Sequence, residues 1–98
     1  MKDILKNINK AFESKVRLGI MALLAVHDSV DFNTLKENLD VSDGNLASHL
    51  KTLEKMEFIR VEKSFVGRKP NTAYLATSKG KIAFKEHLEA LERIIRGE

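Results

Sequence analysis

The most constraining feature of this chain is how little of it separates two of its helices. Leu35 and Leu39 lie one turn apart on a helix expected over about residues 34–39, with Asn33 as its N-cap. Asp40 and Val41 follow, and Ser42 already reads as the N-cap of the next helix, which runs from Asp43 to about Glu57. Two short helices are therefore joined by a tight turn. At 100° per residue, Leu46, Leu50 and Leu53 of the second helix fall in one narrow arc, and that arc must face a core.

After that helix the hydrophobic period changes from helical to alternating. Phe58 to Lys63 reads as a strand, Gly67-Arg68-Lys69-Pro70-Asn71 as a breaker cluster, and Thr72 to Ala76 as the returning strand. Thr77 caps a last long helix over about 78–96, and Gly97 stands where a helix stop belongs. Upstream, Ile4, Leu5, Ile8 and Phe12 predict an amphipathic helix over 3–12. A second helix over 14–27 is apolar on most faces and is expected to be central and buried. Short Val30-Asp31-Phe32 is extended. The parse is one domain, 1–98, with an N-terminal helix (1–13), a core (14–77) and a C-terminal helix (78–98). The fold class is mainly α with a small β-hairpin: a winged helix-turn-helix layout with flanking terminal helices. Small α+β interaction domains can share this arrangement.

The outer arc of the helix starting at Asp43 carries Gly44, Asn45, Ser48, Lys51, Thr52 and Lys55, with His49 on its flank. Near the helix start this face is short, polar and uncharged, and further along it is cationic. Asn can bond an adenine edge in bidentate fashion, Ser and Thr can bond several bases, and Lys can anchor phosphates. A face selected only for solubility would more often carry Glu and Lys pairs four residues apart. Asn45, as the third helical residue, could equally support the cap at Ser42. Ser42 itself caps the helix, and the same N-terminus attracts a phosphate. Gly44 is costly in a helix, which points to a close approach either by the preceding helix or by a DNA backbone.

Net charge is only +3, but residues 60–85 hold seven basic side chains against the single acid Glu62. Such a patch on an otherwise slightly acidic chain suits a polyanion, although a solvated face would look similar. Within it, residues 63–72 have Lys63, Arg68 and Lys69 and no acid. Arg68 at a stiff loop tip suits a narrow minor groove, and Lys63 and Lys69 suit phosphate neutralisation. An ordinary exposed hairpin kept soluble by its cations is the alternative. Phe65 and Val66 are expected to pack beneath the loop or against another chain.

Lys15-Val16-Arg17-Leu18-Gly19-Ile20-Met21, Leu35-Lys36-Glu37-Asn38-Leu39, the stretch Ser42 to Glu54 and the stretch Phe65 to Thr72 together resemble small winged-helix transcriptional regulators of bacteria and archaea, of the MarR and ArsR types. The resemblance covers roughly residues 14–95. It implies a homodimer on a pseudo-palindromic operator, with Asn45, Ser48, His49 and Thr52 on or beside the reading face and Arg68 in the wing. Metal sensing of the ArsR kind typically uses thiolates; this chain has no cysteine, so that chemistry does not carry over. The flanks are shorter than those that form MarR effector pockets, and a small-molecule effector is left unassigned.

The absence of cysteine also excludes disulfides, Cys nucleophiles and redox switching. His27, His49 and His87 lie in different elements without ligand spacing, so no metal, cofactor or catalytic site is expected. No secretory signal or membrane span is visible, and the expected location is cytoplasmic. The terminal helices carry more apolar surface than 98 residues can hide. Ile4, Leu5, Ile8 and Phe12, with Phe84, His87, Leu88, Leu91, Ile94 and Ile95, are expected to pack together and against a symmetry mate. The sequence thus predicts a homodimeric, sequence-specific binder of double-stranded DNA, a transcriptional repressor rather than an enzyme. The alternative is a winged-helix protein-interaction module.

Overall fold

The computed structural model describes residues 1–98. Its elements are α1 (Lys2–Leu5), a single 3-10 turn (Lys10–Phe12), α2 (Lys15–Val26), β1 (Val30–Asp31), α3 (Phe32–Leu39), α4 (Asp43–Lys55), β2 (Ile59–Val66), β3 (Lys69–Ala76) and α5 (Ser78–Ile95). The three strands form one antiparallel sheet in the order β1-β3-β2. This is the winged helix-turn-helix architecture, in which α3 and α4 are the helix pair and β2–β3 the wing.

The core sits where α2, α3 and α4 meet the base of the sheet. Ile20, Met21 and Leu24 of α2 pack with Leu35 of α3 and with Leu46, Leu50 and Leu53 of α4. Phe58, Ile59, Ala76 and Phe84 close the cluster from the sheet and α5. α2 is central but buries one face only, since Val26 is 75% exposed. The turn between α3 and α4 is made by Asp40 in the left-handed region, at φ 51°. Ser42 then caps α4, its Oγ accepting from the Asn45 N–H at 3.2 Å.

Three local expectations need correction. α3 begins at Phe32 and is capped by Asp31, whose carboxylate accepts from the Thr34 N–H at 2.8 Å; Asn33 is already inside the helix. Pairing of Val30-Asp31 with Ala73-Tyr74 ends the extended run one residue early and leaves Asp31 as the flanking residue. The breaker cluster is only a two-residue turn, Gly67-Arg68, and Lys69, Pro70 and Asn71 belong to β3. Pro70 is tolerated because it sits one position beyond the Val66–Lys69 pair that closes the turn. Alternation then points its missing N–H away from β2, where β1 does not reach.

The third correction is the helix expected over 3–12. The chain instead makes one turn of α1, breaks, and re-forms as the 3-10 turn capped by Asn9, whose side chain accepts from the Ala11 N–H. Both pieces still deliver apolar side chains inward: Ile4 and Phe12 are each 2% exposed. The Phe12 ring meets Phe58 at 5.5 Å, Phe84 at 5.4 Å and His87 at 5.3 Å, the last two edge-on. His87 Nδ1 accepts from the Asn9 N–H at 2.9 Å, which ties the segment to α5. Ile4, Phe12, Phe84 and His87, expected at a subunit contact, are therefore enclosed by this chain's own core.

One junction fixes the relative placement of α4, the wing and α5. α4 ends in a left-handed Glu57 (φ 63°), with the Phe58 N–H bonded to the Leu53 carbonyl and the Glu57 N–H to the Glu54 carbonyl. Thr77 Oγ1 donates to the Glu57 carbonyl at 2.6 Å and accepts from the Gly80 N–H, so one hydroxyl joins the end of α4 to the start of α5. The Thr77 N–H bonds the Phe58 carbonyl at 3.1 Å. Gly80 lies so close to that carbonyl that a Cβ would come within 2.0 Å of its oxygen.

Gly80→Ala should therefore destabilise the fold by at least about 1–3 kcal/mol, read as a lower urea midpoint. Acid should weaken it as well. Burial pushes the His87 pKa down, with Glu13 opposing. The stability this contributes is full above the ordinary imidazole value of about 6.5 and is lost as pH falls through the lowered folded value. Urea midpoints should fall between about pH 7.5 and about pH 5, and His87→Asn should flatten part of that slope.

Candidate nucleic-acid interface

α4 packs its Leu46, Leu50 and Leu53 arc inward, so the opposite arc must face solvent. Ser42, Asn45, Ser48, Lys51 and Lys55 are exposed, while His49 and Thr52 are half-buried at the flank. Asn45 takes part in the cap at Ser42 through its main chain. Its backbone N–H goes to the Ser42 cap, and its side-chain amide is left outward. Thr52 is more restricted than its position suggests: its Oγ1 donates to the Ser48 carbonyl at 3.2 Å. The hydroxyl proton is committed to its own helix, which leaves acceptor lone pairs and a methyl for a partner.

Two residues that the sequence reading did not single out act on this face. Lys36 of α3 reaches across the turn to Asp43 at 2.8 Å and offsets the one acid at the start of α4. Both ends remain largely exposed, so the pair contributes little stability; its effect is on the local charge that an anion would meet. Arg17 of α2 places Nη1 3.0 Å from His49 Nδ1 and donates from Nε to the Ala11 carbonyl at 2.7 Å. Burial foremost, and then the Arg17 charge, hold the His49 pKa below its ordinary value. The only sequence signal for Arg17 is a cation, two residues after Lys15, near the start of a helix otherwise rich in apolar residues.

Gly44 has open space where its Cβ would stand. The preceding helix is therefore not the reason for glycine there.

In the wing, β2 and β3 pair in register from Ile59–Ala76 out to Val66–Lys69. Gly67 at φ 66° supplies the first corner of the two-residue turn, the place where such hairpins favour glycine, and Arg68 is the other. Every residue from Glu62 to Pro70 is exposed. Alternation puts Lys63 on the face shared with Ile59 and Val61, and Lys69 on the opposite face with Asn71 and Ala73. The two lysines straddle the ribbon rather than share a side. Phe65, 73% exposed, and Val66 do not pack beneath the loop. At the wing base Tyr74 packs against the core, and its phenol is pushed up by burial and, less, by the Glu54 carboxylate.

The terminal elements form a second surface. α1 packs on α5, whose buried line is Gly80, Phe84, His87 and Ala90. Leu88, Leu91 and Ile95 of α5 stay exposed, as does Leu5 of α1, while Ile8 and Ile94 are half-buried. Beside Leu88 lies a cleft of about 350 Å³, floored by Met21, Ala25, Ala76 and Phe84 and edged by Lys85 and Glu89. No group of three or more His, Cys, Asp or Glu side chains is arranged to hold a metal ion. No helix is long and apolar enough to cross a membrane.

Residues 16–95 match the family model described as a winged helix DNA-binding domain. An uncharacterized protein of Methanocaldococcus jannaschii is 43% identical over 79 residues, which cover 81% of this chain and 86% of that one. The solved structure of a transcriptional regulator homologue from Pyrococcus horikoshii superposes with a TM-score of 0.86 at 32% identity, covering 98% of this chain and 93% of the other. A transcriptional regulator of the ArsR family shares the fold at a TM-score of 0.64 and 17% identity, over all of this chain and 96% of its own.

Gly44→Ala should stabilise the free protein by up to about 1 kcal/mol, because it lowers helix cost and meets no neighbour. A thermal melt of the variant checks this.

Proposed function

Because this chain belongs to the winged helix DNA-binding domain family, we propose that it is a homodimeric transcriptional repressor that reads a pseudo-palindromic operator. The carrying observation is the outward arc of α4, with Asn45, Ser48, Lys51 and Lys55 free of the core, in a chain whose wing is exposed from Glu62 to Pro70 and tipped by Arg68. α4 enters the major groove. Asn45 and Ser48 bond base edges, Thr52 offers an acceptor or its methyl, and His49 contacts from the flank. Ser42 and the α4 N-terminus meet a phosphate, and Lys51 and Lys55 neutralise others. Gly44 leaves room for the DNA backbone to come close. Arg68 enters the adjacent minor groove, with Lys63 and Lys69 reaching phosphates on either side of the ribbon.

The second copy docks on the exposed strip of α5, through Leu88, Leu91 and Ile95, with Leu5 and the half-buried Ile8 and Ile94 at its margin. This apolar strip is what supports the dimer, because an isolated copy leaves it in water. Two-fold pairing sets the two reading helices about one DNA turn, about 34 Å, apart. Occupying the operator then blocks transcription without any catalytic step.

Selection from a random duplex pool, with the mass of the complex measured alongside, is the decisive test. A palindromic motif bound by two copies is the expected result, with affinity falling steeply as salt rises. Salt-insensitive or absent binding would leave an interaction module instead. Arg68→Ala should weaken binding, with the loss greatest on A/T-rich flanks. Equal losses on all duplexes would make it a phosphate contact, and no loss would remove the wing from the interface.

A further inference from the structure

A hydrogen-bonded path runs from α5 to the flank of α4. His87 Nδ1 accepts from the Asn9 N–H, and Asn9 Oδ1 accepts from the Ala11 N–H at 2.9 Å. The Ala11 carbonyl accepts from Arg17 Nε, and Arg17 Nη1 stands 3.0 Å from His49 Nδ1. The guanidinium has five N–H donors and no acceptor, so the bond to His49 exists only if Nδ1 carries a lone pair. A neutral imidazole with a bare Nδ1 keeps its proton on Nε2. Arg17 is itself held in place: its Nε is committed to the 3-10 turn, and its backbone N–H goes to the Ser14 cap at 3.2 Å.

We infer that Arg17 is a positioning residue that fixes the tautomer of His49 and makes it a pure hydrogen-bond donor, through Nε2–H, toward an acceptor on the DNA. This rests on the proposed DNA binding by α4 and adds to it the chemical class of what His49 recognises. His49 lies one helical turn from both Asn45 and Thr52, at the edge of the reading face. A donor there accepts company from purine N7, guanine O6, thymine O4 or a phosphate oxygen, and rejects the amino groups of cytosine and adenine. An imidazole free to exchange tautomers would discriminate less. The lowered pKa of His49 agrees with a neutral ring near pH 7.

The test has one arm without DNA and one with it. Imidazole nitrogen-15 spectra of the free protein should show an unprotonated-type Nδ1 and a protonated Nε2 at His49. Arg17→Met should shift this toward the mixed tautomers of a free histidine, and Arg17→Lys, which restores a donor-only cation, should recover it. Amide spectra of both variants establish that they fold. A protonated Nδ1 in the wild type, or His49 signals that Arg17→Met leaves unmoved, would overturn the inference whatever the DNA result. On the duplex selected from the random pool, Arg17→Met should lose about 2- to 10-fold in affinity, the worth of one neutral hydrogen bond. Duplexes carrying 7-deazapurines (no N7), 2-aminopurine for guanine (no O6) or 5-methyl-2-pyrimidinone for thymine (no O4), and others with single methylphosphonate linkages, distinguish a base acceptor from a phosphate oxygen: the wild type should lose affinity at one of them, and Arg17→Met should be indifferent to that same change. A wild type indifferent to all of these changes would overturn the recognition step. If the tautomer is fixed but no duplex binds at all, the proposed function has failed while the Arg17–His49 geometry stands.

Discussion

The carbonyl of Phe58 is the point on which the arrangement of this molecule turns. It takes the Thr77 N–H, and Gly80 rests against it at a distance that admits no side chain. Four things meet there: the last turn of α4, the first residue of the wing, the last residue of the wing and the first turn of α5. The Thr77 hydroxyl, bonded to both Glu57 and Gly80, makes the meeting rigid in two directions. In the proposed binding mode a helix that reads a groove and a ribbon that flanks it must hold a fixed mutual angle. Here that angle is set by backbone hydrogen bonds a few residues from both, not by the distal core.

The N-terminal segment adds a second restraint. Phe12 fills the space between Phe58, Phe84 and His87, so a residue outside the helix-turn-helix unit completes its core. In a chain of this size each such aromatic is a large share of the buried apolar surface. The same segment carries the Asn9 and Ala11 bonds that reach His87 and Arg17. It is therefore an integral strap, anchored at α5 and at the flank of α4.

Much of this was legible in the sequence because it is local. Ser42 and Thr77 announce their helices through side chains that bond the very next turn, and the leucine arc of α4 assigns its outer face by periodicity alone. The N-terminal segment was misread for the opposite reason. Ile4 and Phe12 have helical spacing, yet each reaches the core from a separate turn; the informative residue was Asn9, a cap inside the supposed helix. Asp31 and Asn33 are both good caps, and only strand pairing to Ala73-Tyr74 decides between them. The α5 surface was half legible. Its apolar arc is real, but one edge of it is spent on the chain's own core, and periodicity cannot say how far a neighbouring element extends. Arg17 and Lys36 act on α4 from other elements, so nothing in their local spacing reveals it.

The wing's construction also restricts how its length can vary. Every residue from Glu62 to Pro70 is exposed, so insertions and deletions toward the tip cost the core little. The pleat nevertheless quantises them. One residue added to each strand would carry every side chain near the tip to the other face, whereas two would restore the original orientation. Descendants of this chain can thus lengthen or shorten the ribbon, but only in whole pleat repeats if the cations are to keep their sides.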